Sequence, residues 1–173
     1  SENEQVKGEV YKPTERIKVY ILEVKSTPKG PKIMVSRTHP ELVKRLFESE
    51  VTEVKDGIVE IKSIAREAGS RTKIAVYSND PDVDPVGACV GMKGSRIHGI
   101  VRELGNENID VINYTSNMQL FITRALSPAK VSSIKINEET KRAEVFLKLE
   151  EVSKAIGRGG HNIKLAGLLT GYE

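Results

Sequence analysis

Two glycine-containing octapeptides, V-G-M-K-G-S-R-I at residues 90–97 and I-G-R-G-G-H-N-I at residues 156–163, carry the clearest fold information in this sequence. They begin 66 residues apart, and both follow the pattern aliphatic-Gly-x-x-Gly-x-x-Ile. In each copy the glycines separate two short segments whose apolar residues recur at helical spacing. A repeated unit of this length predicts two copies of one small module that contains both helices and strands.

The elements around the first octapeptide can be read from their periodicity. Val59, Ile61 and Ser63 are predicted to share one face of a strand, and the opposite face is predicted to carry Ile58, Glu60, Lys62 and Ile64. The predicted order is a helix from Pro40, strands at 58–65 and 72–77, a helix from Pro85 to the glycines, a helix that ends at Gly105 and a strand at 108–114.

The same order restarts after residue 115. The predicted elements are a helix at 118–126, strands at 131–136 and 143–149, and helices at 151–156 and 162–169. The counterpart of the first copy's last strand would begin at position 175, so we expect the second copy to lack its final strand in this sequence.

The N-terminal residues predict a hairpin. Residues 16–24 alternate apolar and polar side chains, and residues 32–36 form a second short strand pattern. The segment 26–31 is rich in turn formers and predicts a six-residue loop. Because an isolated hairpin is only marginally stable in water, we expect this one to belong to a larger unit.

Composition excludes several classes of protein. The chain has 173 residues, 27 basic and 24 acidic side chains and a single cysteine, Cys89, so no intramolecular disulfide can form. Three scattered histidines and one cysteine predict no metal site, and no cofactor is expected. No apolar run approaches the roughly 18–20 residues of a membrane span. We expect a cytoplasmic, monomeric, non-catalytic protein, with Cys89 buried.

Two common phosphate-binding loops can be rejected. A P-loop starting at Gly87 would need glycine where Met92 stands, and a dinucleotide fingerprint starting at Gly157 would need glycine where Asn162 stands. A nucleic-acid backbone clamp remains, because glycines allow close approach and the following helix directs free N–H groups at a phosphate. A structural helix–helix turn with solvated basic side chains is the alternative for either loop taken alone.

The two octapeptides resemble the G-x-x-G loops of KH domains, which clamp single-stranded nucleic acid. The order helix–strand–strand–helix–helix–strand resembles the type II KH arrangement, an α+β fold with a three-stranded sheet packed by helices. The N-terminal hairpin resembles the C-terminal part of an S1-type OB barrel. Together with S-R-T-H-P-E-L at 36–42 and A-L-S-P-A-K-V at 125–131, this organisation resembles the NusA family of bacterial transcription factors.

The resemblance implies a division into a partial S1-type barrel at 1–36, a first KH domain at 37–114 and a second at 115–173. It implies an RNA-binding fragment of a transcription elongation, termination and antitermination factor whose loops clamp nascent single-stranded RNA. RNA polymerase and other antitermination factors are the further partners it implies. The residues expected to contact RNA are Val90, Gly91, Met92, Lys93, Gly94, Ser95, Arg96, Ile97, Ile156, Gly157, Arg158, Gly159, Gly160, His161, Asn162 and Ile163.

Several alternatives stay open at this point. The chain could be a scaffold that docks RNA polymerase or ribosomal partners without binding RNA. It could also be the accessory KH and S1 region of an RNA-processing enzyme, although polynucleotide phosphorylase-like enzymes place one KH domain before S1. For Val90, Ile97, Ile156 and Ile163, core packing is an alternative to a base-binding groove, and His161 could be a solvated loop residue.

Charge is distributed unevenly between the two copies. Residues 37–114 carry a net charge of −2, and residues 115–173 carry +3. RNA affinity in the first copy must therefore come from local placement of basic side chains. The candidates are Lys93, Arg96 and Arg102, with Arg66, Arg71 and Lys73 as further candidates.

Overall fold

A computed structural model describes residues 1–173, with seven strands in three sheets and seven α-helices. The N-terminal hairpin contains β1 (Tyr20–Thr27) and β2 (Gly30–Ser36). The first repeat contains α1 (Pro40–Glu50), α2 (Thr52–Lys55), β3 (Val59–Glu67), β4 (Arg71–Ser78), α3 (Pro85–Val90), α4 (Ser95–Glu103) and β5 (Asn108–Asn113). The second contains α5 (Met118–Ala125), β6 (Ser133–Asn137), β7 (Arg142–Phe146), α6 (Leu149–Ile156) and α7 (His161–Thr170). None of the helices is both long and apolar enough to cross a membrane.

The start of α1 shows why the first repeat begins where it does. Pro40 occupies the first helical turn, where a missing N–H costs nothing. Nδ1 of His39 accepts a hydrogen bond from the backbone N–H of Glu41 at 3.0 Å and so caps the helix. The His39 ring also stacks on Tyr20 of β1, with 4.8 Å between the ring centroids. One residue therefore caps the helix and attaches the hairpin to it.

The first-domain sheet has the order β3-β4-β5, with β3 antiparallel and β5 parallel to the central strand. Both faces of this sheet are covered. Ile74 and Val76 of β4 point into the core of the first domain, whereas Ala75 points into the core of the second. A strand buried on both faces reads as a continuous apolar run, as β4 does.

The predicted faces of β3 are partly wrong, because the strand contains a bulge. The register with β4 shifts between Ile61 and Ser63, and the extra residue, Lys62, reverses the alternation beyond it. As a result, Ile64 packs against the same core as Val59 and Ile61, and Ala65 faces the other core.

The second domain packs directly on the first. Its helices α5 and α7 cover the free face of the first sheet, where Phe121 and Leu165 share one core with Ala75 and Ile112. Its own sheet contains β6 and β7. The Glu173 N–H donates to the carbonyl of Lys141 and its carbonyl accepts from the N–H of Ala143, both at 2.8 Å, which is a parallel pairing on the edge of β7.

The hairpin differs from its predicted form. Its strands continue to the pair Thr27 and Gly30, so the turn has two residues instead of six, and β1 begins at Tyr20 instead of Arg16. Gly30 makes the tight turn possible because its φ is 114°. The hydroxyl of Thr27 donates to the Gly30 carbonyl at 2.5 Å and closes the turn.

A buried arginine fixes the N-terminal segment to the first domain. The guanidinium of Arg37 contacts the Glu9 carboxylate at 2.6 Å and donates to the carbonyls of Lys18 and Glu103 at 2.8 and 2.9 Å. The hydrogen bond from Arg37 lowers the pKa of Glu9 below its ordinary value. The segment before β1 is therefore attached to α4 by charge-assisted hydrogen bonds.

Candidate nucleic-acid interface

The first glycine loop is a tight turn between α3 and α4. Gly91 and Gly94 have φ values of 77° and 76°, a region that favours glycine. A Cβ atom added at Gly91 would lie 2.9 Å from the backbone nitrogen of Arg96, closer than real contacts allow. The loop therefore requires glycine for its conformation and for the close approach of the next helix.

The second loop, between α6 and α7, has the same backbone shape. Gly157 and Gly160 have φ values of 76° and 74°, and a Cβ atom at Gly157 would lie 2.9 Å from the backbone nitrogen of Asn162. The position between them differs: Lys93 of the first loop has a φ of 54°, and Gly159 of the second has a φ of 63°. The first loop thus holds a lysine in the left-handed region where the second has a glycine.

Both loops lead into a helix whose first N–H donates within the loop, from Ser95 to the Met92 carbonyl and from His161 to the Arg158 carbonyl. Helices α4 and α7 begin directly after Gly94 and Gly160, and no side chain caps either N-terminus. The uncapped first-turn N–H groups carry the positive end of the helix dipole. Lys93 and Arg158 are exposed beside them, as is Met92, which is 84% exposed. Such an arrangement can accept a phosphate group.

Arg96 was predicted to add positive charge to the first clamp, but its side chain turns inward. Its Nη1 donates to the Glu53 carboxylate at 2.6 Å and to the Ala88 carbonyl at 2.7 Å. The hydrogen bond from Arg96 lowers the pKa of Glu53. Arg96 therefore braces the end of α3 against the start of α4, and its charge is paired within the domain.

Asn162, at the position that matches Arg96, was predicted to contact RNA and is buried instead. Its side-chain nitrogen faces the carbonyls of Leu126, Lys154 and Ala155 at 3.0–3.2 Å. It therefore braces the second loop from behind by satisfying carbonyls at the end of α6. Asn162 and Arg96 hold the loops in shape; Asn162 is buried, whereas the Arg96 side chain is 31% exposed.

The four predicted groove residues divide between the domains. Ile97 packs against the first core and Val90 is only partly exposed. In the second domain, Ile156 and Ile163 are about half exposed and line an apolar groove of about 520 Å³ between α6, α7 and the end of β7. Apolar groove walls next to the loop are thus present in the second domain.

The remaining loop residues flank the helix starts. Ser95 is exposed at the beginning of α4. His161 is partly exposed, and its Nδ1 lies 2.8 Å from the hydroxyl of Ser70 in the first domain. His161 is therefore anchored to the first domain through Nδ1 and is not a freely solvated loop residue.

Most of the other basic residues that were predicted to bind RNA form ion pairs within the protein. Arg66 and Lys73 have side chains that are 1% and 0% exposed and pair with Glu107 and Asp110, so the prediction that they supply RNA-binding charge is wrong. Arg71 also pairs with Asp110, at 2.8 Å. Arg102 is exposed and stays a candidate.

Other reactive chemistry is absent from these loops. The Cys89 side chain is buried, and burial raises the pKa of its thiol to about 12, so the nucleophilic thiolate is not formed near neutral pH. No group of three His, Cys, Asp or Glu side chains comes together in a way that could hold a metal ion.

Sequence reasoning missed the residues that support the loops. Glu53 holds Arg96 from 43 residues away, and Ser70 contacts His161 from 91 residues away. No local pattern marks either residue, because each acts only through a contact made by the folded chain.

Comparison with known families identifies both domains. Residues 37–114 match the NusA-like first KH domain, and residues 118–173 match the NusA-like second KH domain. The chain belongs to the NusA family. The family resemblance and the tandem KH fold predicted from the sequence are thereby confirmed, and the hairpin remains a predicted part of an S1 barrel.

NusA relatives with curated names cover almost the entire chain. The transcription termination/antitermination protein NusA of Bacillus subtilis is 56% identical over 171 residues, which is 99% of this chain and 46% of the relative. The NusA protein of Thermus thermophilus is 49% identical over 99% of this chain and 44% of the relative. The chain thus spans less than half the length of these relatives.

A solved structure shares the fold at lower identity. The crystal structure of APE1850 superposes with a TM-score of 0.52 and 24% identity, and the match covers 73% of this chain and 85% of that one. This similarity supports the fold alone.

Proposed function

We propose that this chain binds single-stranded RNA through the G-x-x-G loops of its two KH domains, as the RNA-contacting region of a transcription termination/antitermination factor. The observation that carries the proposal is the pair of loops with matching positive-φ glycines, each followed by a helix N-terminus that no side chain caps. A phosphate would accept hydrogen bonds from these N–H groups, with Lys93 or Arg158 beside it.

We propose a smaller set of RNA-contacting residues than the sequence predicts. Met92, Lys93, Arg158 and Gly159 lie at the exposed loop tips, and Ser95 starts the helix behind the first tip. Gly91, Gly94, Gly157 and Gly160 give the loops their shape. Ile156 and Ile163 would seat bases against the apolar groove, whereas Arg96 and Asn162 would act from behind the loops.

RNA polymerase and other antitermination factors are proposed partners, since the relatives are named for termination and antitermination. We propose a non-catalytic, monomeric, cytoplasmic role. No feature of the fold favours the processing-enzyme alternative. The scaffold alternative is an outcome of the experiment below.

The test is fluorescence anisotropy with a labelled unstructured RNA of about 12 nucleotides, several times the four that one KH loop clamps. Duplex RNA of the same length serves as the comparison. Two variants, Met92→Asp/Lys93→Asp and Arg158→Asp/Gly159→Asp, place negative charge at one loop tip each. The proposal expects binding to the single strand only and its loss in both variants, because tandem linkage makes each weak module necessary.

Folding of the variants is checked by circular dichroism and urea unfolding. With about four nucleotides clamped by each of the two loops, up to about eight phosphates are contacted, so log Kd should change with log salt concentration with a slope of no more than about 6. Binding that is absent, or indifferent to both variants, would instead identify the fragment as a protein-docking scaffold.

A further inference from the structure

The second glycine loop is attached to the first domain at its base. The hydroxyl of Ser70, in the turn between β3 and β4, lies 2.8 Å from Nδ1 of His161, the first residue of α7. The next residue, Arg71, directs its guanidinium to the side-chain oxygen of Asn162 at 3.4 Å. Two consecutive residues of the first domain thus contact two consecutive residues at the start of the helix that follows the loop.

Asn162 is the residue on which the shape of this loop depends. Its side-chain nitrogen faces the Lys154 and Ala155 carbonyls, and a Cβ atom at Gly157 would lie 2.5 Å from its own Cβ. Arg71 approaches the oxygen of the same amide, which favours the orientation that turns the nitrogen toward α6. Arg71 is itself fixed by Asp110, at 2.8 Å.

The first loop is supported differently. Arg96, at the position that matches Asn162, is held by Glu53 of α2 within its own domain. Ser95, at the position that matches His161, makes no side-chain hydrogen bond in the structure. The first loop is therefore braced from within its domain, and the second is braced across the domain boundary.

We infer that Ser70 and Arg71 are positioning residues for the second G-x-x-G loop. RNA binding by the second KH domain then depends on the first domain through contacts that do not touch RNA. A loop held in its binding conformation loses less conformational entropy when RNA binds, so removing the brace weakens binding. This inference rests on the proposed function, but its structural half can be tested without RNA.

The first measurement is amide hydrogen exchange in the free protein, for the parent chain and Ser70→Ala. The expected result is faster exchange over residues 157–162 and unchanged exchange over residues 91–96, because only the second loop loses a brace. Ser70→Thr, which keeps a hydroxyl, and Ser132→Ala, which changes an exposed serine of the second domain, should both match the parent.

The second measurement is RNA affinity of the same proteins. Ser70→Ala should raise Kd about threefold to tenfold, the range that one hydrogen bond of ordinary strength supports. His161→Ala should raise it by a similar factor, and the double variant should be no weaker than either single variant. A further loss of affinity in the double variant would show that His161 contacts RNA directly. It would overturn the claim that His161 affects RNA binding only through its contact with Ser70.

The two proposals fail in different ways. If the parent chain does not bind RNA, the proposed function fails. The exchange data still test whether Ser70 holds the second loop in its conformation. Unchanged exchange in Ser70→Ala overturns the brace itself. Faster exchange with unchanged RNA affinity overturns the claim that the brace serves binding.

Discussion

The two glycine loops have nearly the same backbone and different side chains behind it. Gly91 and Gly157 share φ values within 1° of each other, 77° and 76°. Behind the first loop stands an arginine paired with a carboxylate, and behind the second stands a buried asparagine that faces three carbonyls. The glycines set the conformation, while a side chain in the next helix satisfies the carbonyls that the preceding helix leaves open. Both an arginine and an asparagine can therefore satisfy carbonyls at the end of the preceding helix.

The two domains also differ around a matching glutamate. Glu107 of the first domain is buried, where it accepts hydrogen bonds from Arg66, from the Gly69 N–H and from the Thr72 hydroxyl. Its counterpart 66 residues later, Glu173, is exposed and pairs only with Arg142 at 3.4 Å. Glu107 is thus the centre of a buried network, whereas the carboxylate of Glu173, the last residue of the chain, is exposed in this structure.

The largest predicted effect comes from that difference. Glu107→Gln should reduce the free energy of unfolding by about 3 kcal/mol, because it leaves the buried Arg66 guanidinium without its counter-charge. Glu173→Gln should change it by less than about 0.5 kcal/mol, since an exposed ion pair contributes little. Urea unfolding followed by circular dichroism measures both. Equal small losses would show that the two glutamates are not in different environments.

Sequence reasoning recovered the features that repeat and missed those that do not. The glycines recur because both turns require positive φ, so their spacing located both loops and the helices around them. Arg96 and Asn162 were assigned to the RNA surface, because a polar residue in a loop motif gives no sign of turning inward. The Lys62 bulge was missed for a related reason, since one inserted residue changes the faces of a strand without changing its composition.

Contacts between the domains were beyond the reach of local pattern. The apolar run of β4 indicates that both faces of its strand are buried, but it does not show that α7 of the second domain covers one of them. Ser70 and His161 are each ordinary polar residues in their own segments. Their 2.8 Å contact exists only because the domains pack in one orientation.

Exchanging the residue types at positions 93 and 159 tests how lysine and glycine at the loop tip affect stability and RNA binding. Lys93 has a φ of 54°, which costs an L-residue about 1 kcal/mol, whereas Gly159 has a φ of 63° without that cost. Lys93→Gly should therefore raise stability by no more than about 0.5 kcal/mol, because the greater entropy of unfolded glycine offsets at least about half of the gain. Gly159→Lys should lower stability by a similar amount.

RNA affinity should change in the opposite direction in both variants. Lys93→Gly removes a cation from the first loop, and Gly159→Lys adds one to the second. Urea unfolding and anisotropy on the same preparations give both signs, and Lys29→Gly in the hairpin turn is a control for loss of a lysine far from the loops. If stability and affinity changed together, the lysine would be acting on loop shape and not through its charge.

The smallest predicted effect is the pH dependence of the contact between Glu53 and Arg96, which supports the first loop. The Arg96 hydrogen bond lowers the pKa of Glu53 below its ordinary value of 4.5, so the ionised carboxylate stabilises the folded state at neutral pH. This contribution is complete above the unfolded pKa and is lost as pH falls through the lower, folded one. Glu53→Gln should therefore cost about 0.5 kcal/mol at pH 7, as expected for a partly exposed pair, and progressively less as pH falls below 4.5.

The part of this behaviour that depends on Glu53 should be confined to the first loop. Glu9 also has a lowered pKa, so the parent chain loses stability in the same acidic range for a second reason. The difference between parent and Glu53→Gln, measured by urea unfolding at each pH, isolates the carboxylate of interest. Hydrogen exchange at pH 4 and pH 7, corrected for intrinsic rates and compared between parent and Glu53→Gln, should show a larger loosening of the first loop on acidification in the parent, because only the parent loses the Glu53 carboxylate. Equal loosening of the first loop in the parent and in Glu53→Gln would mean that another contact, and not the Glu53 brace, sets the acid sensitivity.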